Sequence, residues 1–294
     1  MTSKGEMKQR RIVFANRKGG CGKTSSSVNV ATGLALANRK VLLVDCDAQA
    51  HATLSIGLSP YNIEYSLFDL LEGYISDIQK VIQPAKWPNG LHILPTTVQL
   101  AVYELENRNE PQERGKLASL LFSSVCADYD YIILDPPPTV GHLCVMCMVA
   151  AQEVIIPVQT HFLSMESLAE MVRFIYQINA TVNPDLRISG IIPTFYSRKV
   201  KLAKDVIKDI RANFGPDIIL PPVRYDISIA EAPGFGQSIF KHAPNTNGAL
   251  DYASVVCKMD NDCKSFIINY LRQEKNNQKS RMHKKKRKKK KTVL

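Results

Sequence analysis

The sequence lacks the long apolar segments that a membrane protein needs. No uninterrupted apolar run approaches the roughly 20 residues of a bilayer-spanning helix, and residues 1–11 are polar and basic, unlike a signal peptide. It also lacks internal repeats and any linker rich in Gly, Ser and Pro that would divide the 294 residues into domains. We therefore expect a cytoplasmic protein built around one large core.

Paired cysteines at metal-ligand spacing are scarce as well. Cys144 and Cys147 form a CxxC within a predicted helix, but no second pair follows at the spacing of a zinc site. The 7 cysteines are scattered through apolar segments, which is the pattern of reduced thiols rather than of a disulfide framework. This distribution indicates that Cys144 and Cys147 pack in the core.

Acidic residues are absent from residues 279–294. Lys279, Arg281 and the unbroken cationic run 284–291 supply ten of the eleven net positive charges, so the rest of the chain is almost neutral. Because like charges this dense repel one another, we expect residues 276–294 to form a disordered tail that binds a polyanion, the alternative being an extension that serves only solubility. If eight of its cations each neutralised one phosphate of B-DNA, log K would fall with log salt with a slope of about −7. The predicted DNA-binding cations of the tail are Lys284, Lys285, Lys286 and Arg287.

Short β-branched runs alternate with helical periodicity over residues 11–275, which predicts one α/β domain behind a polar N-terminal segment, residues 1–10. The runs IVFA, VLLVD, YIILD and VIIPV show no polar alternation, as expected of parallel strands covered on both faces. The predicted strands are 11–15, 41–45, 91–94, 131–135, 153–158, 188–193 and 217–220. The predicted helices are 22–38, 111–127, 139–151, 164–181, 199–214 and 247–274.

The stretch NRKGGCGKTSSS, residues 16–27, lies between the first predicted strand and the first predicted helix. It ends like a phosphate-binding loop, G-x-x-x-x-G-K-[ST], although Arg17 stands where the first glycine is usual and Lys18 adds a cation. Glycines let backbone N–H groups turn toward an anion, and the helix that follows adds its N-terminal dipole. The predicted nucleotide-binding residues are Gly19, Gly20, Cys21, Gly22, Lys23 for the β- and γ-phosphates, Thr24 for Mg²⁺, and Ser25 near the α-phosphate.

Two further predicted strands end in aspartate, in VLLVDCDAQAHAT at 41–53 and in YIILDPPPTVG at 131–141. The carboxyl ends of parallel strands meet at one edge of a sheet, so Asp45 and Asp135 should face the phosphate crevice. Asp135 is predicted to help hold Mg²⁺ through water. Either aspartate alone has the simpler interpretation of a polar strand end, but the three motifs together favour a nucleotide site.

These motifs resemble those of the deviant Walker-A ATPases of the ParA/MinD family. The stretches FLSMESLAEM at 162–171 and AEAPGFGQSIFKHAP at 230–244 are similar to the ParA branch, and the similarity extends over residues 10–274. The resemblance implies a single-domain P-loop NTPase with a mostly parallel, twisted sheet flanked by helices, using ATP and Mg²⁺. It further implies an ATP-bound homodimer that binds non-specific DNA. ATP hydrolysis would be slow until a ParB-like or other cargo-bound activator binds.

The same resemblance assigns catalytic roles to Lys18 and Asp45. Lys18 would reach across the two-fold interface to the phosphates of the partner's nucleotide, where a cation offsets facing negative charge. Asp45 would position or activate the attacking water. The sequence departs from the family pattern at Ala48, His51 and Ser25, none of which removes an expected phosphate or metal ligand. Residues that match the region usually lining the adenine pocket are Pro222, Arg224 and Asp226.

A second basic region lies in SRKVKLAKDVIKDIR, residues 197–211. Its cations are expected to form an edge that contacts DNA phosphates, although the interleaved Asp205 and Asp209 are also compatible with an ordinary solvated helix face. The predicted DNA-binding residues here are Arg198, Lys199, Lys201 and Lys204, with Lys208 and Arg211 on the same helix.

Two alternatives remain open from the sequence. One is a membrane-associated positioning ATPase of the MinD type, but the tail offers few apolar residues to insert beside its lysines, which favours nucleic acid over lipid. The other is a metabolic P-loop protein such as an iron–sulfur carrier. We therefore expect a nucleoid-associated ATPase that partitions or positions DNA or another cargo.

Overall fold

The apolar runs of the sequence form one twisted sheet, seen in a computed structural model that describes residues 8–107, 110–161 and 164–273. Its seven strands lie in the order β3-β4-β2-β5-β1-β6-β7, and every neighbouring pair is parallel except β3 with β4. The strands are β1 Arg10–Phe14, β2 Val41–Asp45, β3 Gln83–Pro84, β4 Leu91–Leu94, β5 Tyr131–Asp135, β6 Glu153–Gln159 and β7 Arg187–Thr194. The predicted α/β class with a mostly parallel sheet is confirmed.

Helices cover both faces of this sheet. The α-helices are α1 Lys23–Leu36, α2 His51–Ser55, α3 Leu67–Glu72, α4 Ile78–Val81, α5 Leu100–Glu106, α6 Lys116–Leu121, α7 Ser124–Ala127, α8 His142–Ala150, α9 Ser164–Thr181, α10 Lys201–Phe214, α11 Ile227–Glu231, α12 Ile239–His242 and α13 Asn247–Met259. A further helical stretch covers residues 264–273. Over the described ranges, none of the helices combines the length and apolar character required to cross a bilayer.

Successive side chains of each strand enter two separate cores, one on each face of the sheet. Val13 and Leu134 pack with α8 and α9, whereas Ile12 and Ile133 pack with α1 and α13. This double coverage explains why the strand sequences are continuously apolar. The helix α1 is almost wholly buried and meets α13 so closely that a Cβ on Gly33 would lie 2.8 Å from Val256 Cγ2.

Three predicted elements are wrong in detail. The predicted strand 217–220 forms only an isolated bridge, Ile191 with Ile219, because prolines at 216, 221 and 222 remove ladder donors on both sides. The predicted helix 111–127 is divided into a 3-10 turn, Pro111–Gly115, and the short helices α6 and α7, since Ser123 adopts an extended conformation.

The predicted helix 247–274 is interrupted at Asp260, which is extended with φ −139° and ψ 104°. The Asp260 carboxylate accepts hydrogen bonds from Arg39 Nε at 2.8 Å and Tyr131 Oη at 3.0 Å, and it caps the next turn at Asp262 N. Polar contacts with distant residues thus interrupt the helix, although the local periodicity predicts that it continues.

Candidate nucleotide site at the carboxyl edge of the sheet

The register of the sheet brings the phosphate loop and both aspartates to the same edge. Asp45 lies directly opposite Asp135 in the β2–β5 pairing, and β1 runs beside β5 and ends at Phe14, where the loop begins. Adjacent strands are about 4.8 Å apart, so the ends of β1, β5 and β2 form a narrow polar row. The structure therefore brings together the three motifs that are far apart in the sequence.

The phosphate loop turns on glycines in the left-handed region, with φ 69° at Gly20 and 92° at Gly22, where a side chain would be strained. Asn16 fixes the start of the loop. Its Nδ2 donates to Pro157 O at 2.7 Å, and its Oδ1 accepts from Lys18 N at 3.1 Å. The loop consequently reaches α1 in a defined conformation.

The far side of the loop is held by two contacts that the sequence did not suggest. Gln159 Nε2 donates to Gly20 O at 2.8 Å, and Thr194 Oγ1 donates to Cys21 O at 2.9 Å. These residues end β6 and β7, more than a hundred positions beyond the loop. Carbonyls that are held outward leave the amide N–H groups of the loop facing its interior.

Two cations lie at the loop. The side chain of Lys23 is buried, and its Nζ makes a long hydrogen bond of 3.4 Å to Lys18 O. Lys18 is half-buried, and no carboxylate within the described ranges pairs with its Nζ or with that of Lys23. With the N-terminus of α1, they make a site for an anion with several negative charges.

Asp45 is fully buried and held by the segment that follows it. Its Oδ2 accepts from Thr53 N at 2.8 Å and from Thr53 Oγ1 at 2.7 Å, and its Oδ1 accepts from Asp47 N at 3.2 Å. Burial raises the pKa of Asp45 to about 7 despite these hydrogen bonds. The carboxylate is therefore fixed in position and costly to ionise without a compensating cation.

Asp135 is also fully buried, and one of its oxygens has no protein partner. Its Oδ1 accepts from Ser27 Oγ at 2.9 Å, whereas its Oδ2 is buried and unpaired. Burial, and then the charge of Asp45, raise the pKa of Asp135 to about 8. A carboxylate oxygen that binds a cation has no partner within the protein, so the unpaired Asp135 Oδ2 is consistent with a cation-binding role.

The donors at this edge fit Mg²⁺ bound together with a phosphate. The described residues contain no cluster of three or more His, Cys, Asp or Glu side chains arranged to enclose a metal. Mg²⁺ commonly keeps several waters and takes only one or two protein oxygens beside those of a phosphate. Thr24 and Asp135 are the residues that would supply these oxygens, Asp135 through water, and the unpaired Asp135 Oδ2 is the observation that supports the fit.

The charged residues predicted for the adenine pocket make ion pairs and hydrogen bonds within the protein. Arg224 is held in a two-pronged ion pair with Asp251, with Nε–Oδ2 at 2.8 Å and Nη2–Oδ1 at 2.6 Å. Asp226 caps α11 by accepting from Ser228 N at 3.1 Å, and Pro222 does not line a described cavity near the loop. Although their charged groups make these contacts within the fold, Arg224 and Asp226 both line the cavity beside Gly22 and Ser25, so they border the place predicted for the base.

Aromatic side chains provide a more suitable surface for a base. A cavity of about 90 Å³ borders Gly22 and Ser25 and contains Phe195, Tyr225 and Tyr252. The rings of Phe195 and Tyr225 lie 6.2 Å apart, and both are exposed. No local motif marks these aromatic residues, so the sequence did not identify them.

A larger cleft of about 490 Å³ adjoins this cavity at the start of α1 and shares Ser25, Ile229 and Ala230 with it. It is bordered by Thr24, Ser25 and His51 and by the segment 229–238. Asn29 Nδ2 donates to Ser25 O at 2.7 Å, and Asn29 Oδ1 accepts from Ile239 N at 2.8 Å, so Asn29 joins the first turns of α1 to α12.

The second basic region is exposed, which agrees both with a DNA-binding edge and with an ordinary solvated helix face. Lys201, Lys204, Lys208 and Arg211 follow one another on one face of α10, while Ala203, Val206 and Ile210 are buried on the opposite face. Arg198 and Lys199 are exposed in the turn before this helix. Within the described part of the chain, no acidic group forms an ion pair with any of these cations. The predicted tail residues Lys284, Lys285, Lys286 and Arg287 lie outside the described residues.

The cysteines are free and mostly buried, in agreement with the sequence. Burial raises the pKa of Cys144 to about 12 and also raises the pKa of Cys147 and Cys21. Such thiols are poor metal ligands and poor nucleophiles, because both roles require the thiolate.

Comparison with known proteins agrees with this geometry. The AAA domain family matches residues 9–188. The chain is 34% identical over 245 residues to the chromosome-partitioning ATPase Soj of Thermus thermophilus, covering 83% of this chain and 93% of that protein. It is 31% identical over 243 residues to the chromosome partitioning protein ParA of Caulobacter vibrioides, covering 82% and 90%. A structure described as cobyrinic acid a,c-diamide synthase from Mycobacterium smegmatis, with a bound ATP analogue and magnesium, superposes with a TM-score of 0.72 at 26% identity, covering 84% and 93%.

Proposed function

This chain belongs to the ParA/Soj family of P-loop ATPases, and from that premise we propose a nucleotide-switched DNA-binding cycle. ATP with Mg²⁺ closes a homodimer, and the dimer binds DNA without sequence preference. A ParB-like or other cargo-bound activator then stimulates hydrolysis, which releases the protein from DNA. The cycle partitions or positions DNA or another cargo, and it places the protein in the cytoplasm on the nucleoid.

The observation that carries the proposal is the meeting of Lys23, Asp45 and Asp135 at one sheet edge. There, a buried lysine bonds only weakly to a loop carbonyl, and a buried carboxylate oxygen has no partner. A bound triphosphate would give the lysine a strong partner, and its cation would give the carboxylate oxygen one. Bound Mg²⁺ supplies positive charge that stabilises the phosphoryl group as it is transferred.

Asp45 is the residue proposed to orient the attacking water. Its three hydrogen bonds from Thr53 and Asp47 prevent rotation of the carboxylate. Positioning is the main contribution that a protein makes to phosphoryl transfer. A fixed carboxylate in a buried setting suits this role, and slow turnover follows if the site is complete only after an activator binds.

Lys18 is the residue proposed to act across the dimer interface. It lies on the outer rim of the loop, where Arg17, Gly19 and Gly20 are exposed. Arg17 points toward α9, with Nη1 3.8 Å from Glu170 Oε2. Lys18 has no such partner among the described residues, so its ammonium group is available to the phosphates of a second copy's nucleotide.

The basic edge on α10 is the proposed DNA contact in the described part of the chain. The turn that leads to it starts at Thr194, which is hydrogen-bonded to the phosphate loop. A row of exposed cations neutralises DNA phosphates irrespective of base sequence. The polybasic tail is proposed to add salt-sensitive affinity to the same polyanion.

The test measures retention of random-sequence duplex DNA by the purified protein with ATP, with ADP and without nucleotide. We expect more DNA to be retained with ATP than with ADP. The double variant Lys204→Glu/Lys208→Glu should lose this ATP-dependent retention. The double surface variant Lys80→Glu/Lys258→Glu, with exposed lysines on α4 and α13, is the charge-matched control. Equal retention with ATP and ADP would contradict the proposed switch, whereas ATP-dependent sedimentation with anionic vesicles and no DNA retention would favour membrane positioning.

A further inference from the structure

We propose that Thr194 is a positioning residue that couples the phosphate loop to the basic edge. Its hydroxyl fixes one peptide of the loop, and its backbone begins the turn that leads into Arg198 and Lys201. The inference rests on the proposed ATP-dependent DNA binding and identifies the contact through which the loop affects the DNA-binding segment.

On the loop side, the contact is short, buried and matched in shape. Thr194 Oγ1 donates to Cys21 O at 2.9 Å, and a Cβ on Gly22 would lie 3.6 Å from Thr194 Cγ2. In a planar trans peptide the C=O and the following N–H point in opposite directions. Holding Cys21 O toward β7 therefore aims Gly22 N–H at the interior of the loop, where phosphate oxygens would lie.

Gln159 acts similarly one peptide earlier, since its Nε2 donates to Gly20 O at 2.8 Å. However, residues 162–163, which follow soon after Gln159, lie outside the described part of the chain. Within the described ranges, the Thr194–Cys21 bond is the hydrogen bond that joins the loop to β7 and the segment after it. This makes Thr194 the direct structural link between phosphate and basic edge.

On the other side, the turn is tightly held. Phe195 has φ 52°, a left-handed conformation that is costly for an aromatic residue unless neighbouring contacts enforce it. Thr160 N donates to Thr194 O at 3.1 Å, and Tyr196 N donates to Val223 O at 3.0 Å. These contacts make the turn stiff between Thr194 and Tyr196, so we expect it to follow the end of β7 as a unit rather than to flex independently.

The experiment compares Thr194→Val, which keeps the size but removes the donor, with Thr194→Ser, which keeps the donor. Ser189→Ala is the matched control, because Ser189 Oγ on the same strand donates to Val154 O at 3.4 Å, away from the loop. ATP affinity is measured by calorimetry. The affinity for random duplex DNA is then measured at saturating ATP and at saturating ADP.

We expect Thr194→Val to bind ATP about tenfold more weakly, since Cys21 O is no longer held toward β7 and Gly22 N–H is no longer aimed at the phosphates; one hydrogen bond contributes about 1 kcal/mol. DNA affinity is compared at saturating ATP and at saturating ADP, so weaker ATP binding does not affect the comparison. The ratio of these two affinities should still be at least about fivefold lower in Thr194→Val than in wild type, within the usual range of coupling between sites. Thr194→Ser and Ser189→Ala should keep the wild-type ratio. Thr194→Ala, which also lacks the donor, decides the question if circular dichroism shows that the valine variant is unfolded.

A merely structural role predicts a different result. If Thr194 only supported the loop, saturating ATP would restore the full wild-type ratio in the donor-less variants, and this outcome would overturn the inference alone. If the wild-type protein itself bound DNA equally with ATP and ADP, the proposed function would fail together with the inference.

Discussion

Replacing Asp135 by asparagine should stabilise the protein without nucleotide while removing its response to Mg²⁺ and ATP. In the nucleotide-free protein, Asp135 Oδ2 is buried without a partner, beside Asp45. Leaving a buried polar group unsatisfied costs about 1–3 kcal/mol, and more when the group is charged. The neutral amide of Asp135→Asn has the same shape and leaves one polar atom unpaired as before, but it cannot ionise, so we expect a gain of about 2 kcal/mol at pH 8.

The pH dependence of this gain has a definite sign. The pKa of Asp135 is raised to about 8 in the folded protein from an ordinary value of 3.8. Unfolding therefore releases a proton between these two values, and the wild-type protein loses stability as the pH rises through that window. The Asp135→Asn variant lacks this group, so the stability difference should be small near pH 4 and largest near pH 8.

The assay is urea unfolding at pH 4.5, 6 and 8, with and without Mg²⁺ and ATP. A ligand at a hundred times its Kd stabilises a folded protein by about 2.7 kcal/mol, and we expect wild type to gain this amount and Asp135→Asn to gain little. Asp128→Asn, an exposed acid at the end of α7, is the control and should behave as wild type. An asparagine variant that is no more stable than wild type at pH 8, and still responds to Mg²⁺ and ATP, would refute the reasoning.

Three further substitutions test the dimer and the packing. Lys18→Ala should abolish ATP-dependent dimers in sedimentation velocity while nucleotide binding is partly kept; dimers of normal stability would contradict the cross-interface role. Asp45→Ala should accumulate the ATP dimer because hydrolysis stops, and a persistent monomer with ATP would remove Asp45 from that role. Gly33→Ala should lower the free energy of unfolding by about 1–3 kcal/mol from overpacking against Val256, although helix propensity alone favours alanine by about 1 kcal/mol. Gly234→Ala, where no atom lies within 4 Å of the added Cβ, is its control and should be nearly neutral.

Short sequence patterns were enough to predict that the phosphate loop and the two strand-end aspartates lie together in the candidate nucleotide site. A strand, a glycine loop and a helix follow one another without interruption at Arg10–Leu36, so the phosphate loop is formed by contiguous residues. Asp45 and Asp135 are each the last residue of a parallel strand. Because such ends converge on one edge whatever the rest of the fold does, the predicted neighbourhood of these residues agrees with the structure.

Contacts between distant segments decided what the sequence missed. Arg224 lines the cavity beside Gly22, as its predicted place near the base requires, but the pairing of its guanidinium with Asp251 on α13 could not be read from any local pattern. Asp260 interrupts an amphipathic helix because Arg39 and Tyr131 hold its carboxylate. In each case, an ion pair or hydrogen bond across the fold outweighs a local preference worth less than 1 kcal/mol per residue.

The sequence by itself determined the chemistry of this protein: a phosphate loop with a second lysine, two aspartates at strand ends, and basic residues at two places. These features depend on residue type and on spacing over a few positions. Only the tertiary structure decided which side chains hold the loop from behind, which carboxylate oxygen lacks a partner, and which rings line the cavity beside Gly22. Those properties arise from packing between residues more than a hundred positions apart, and no local periodicity encodes such distances.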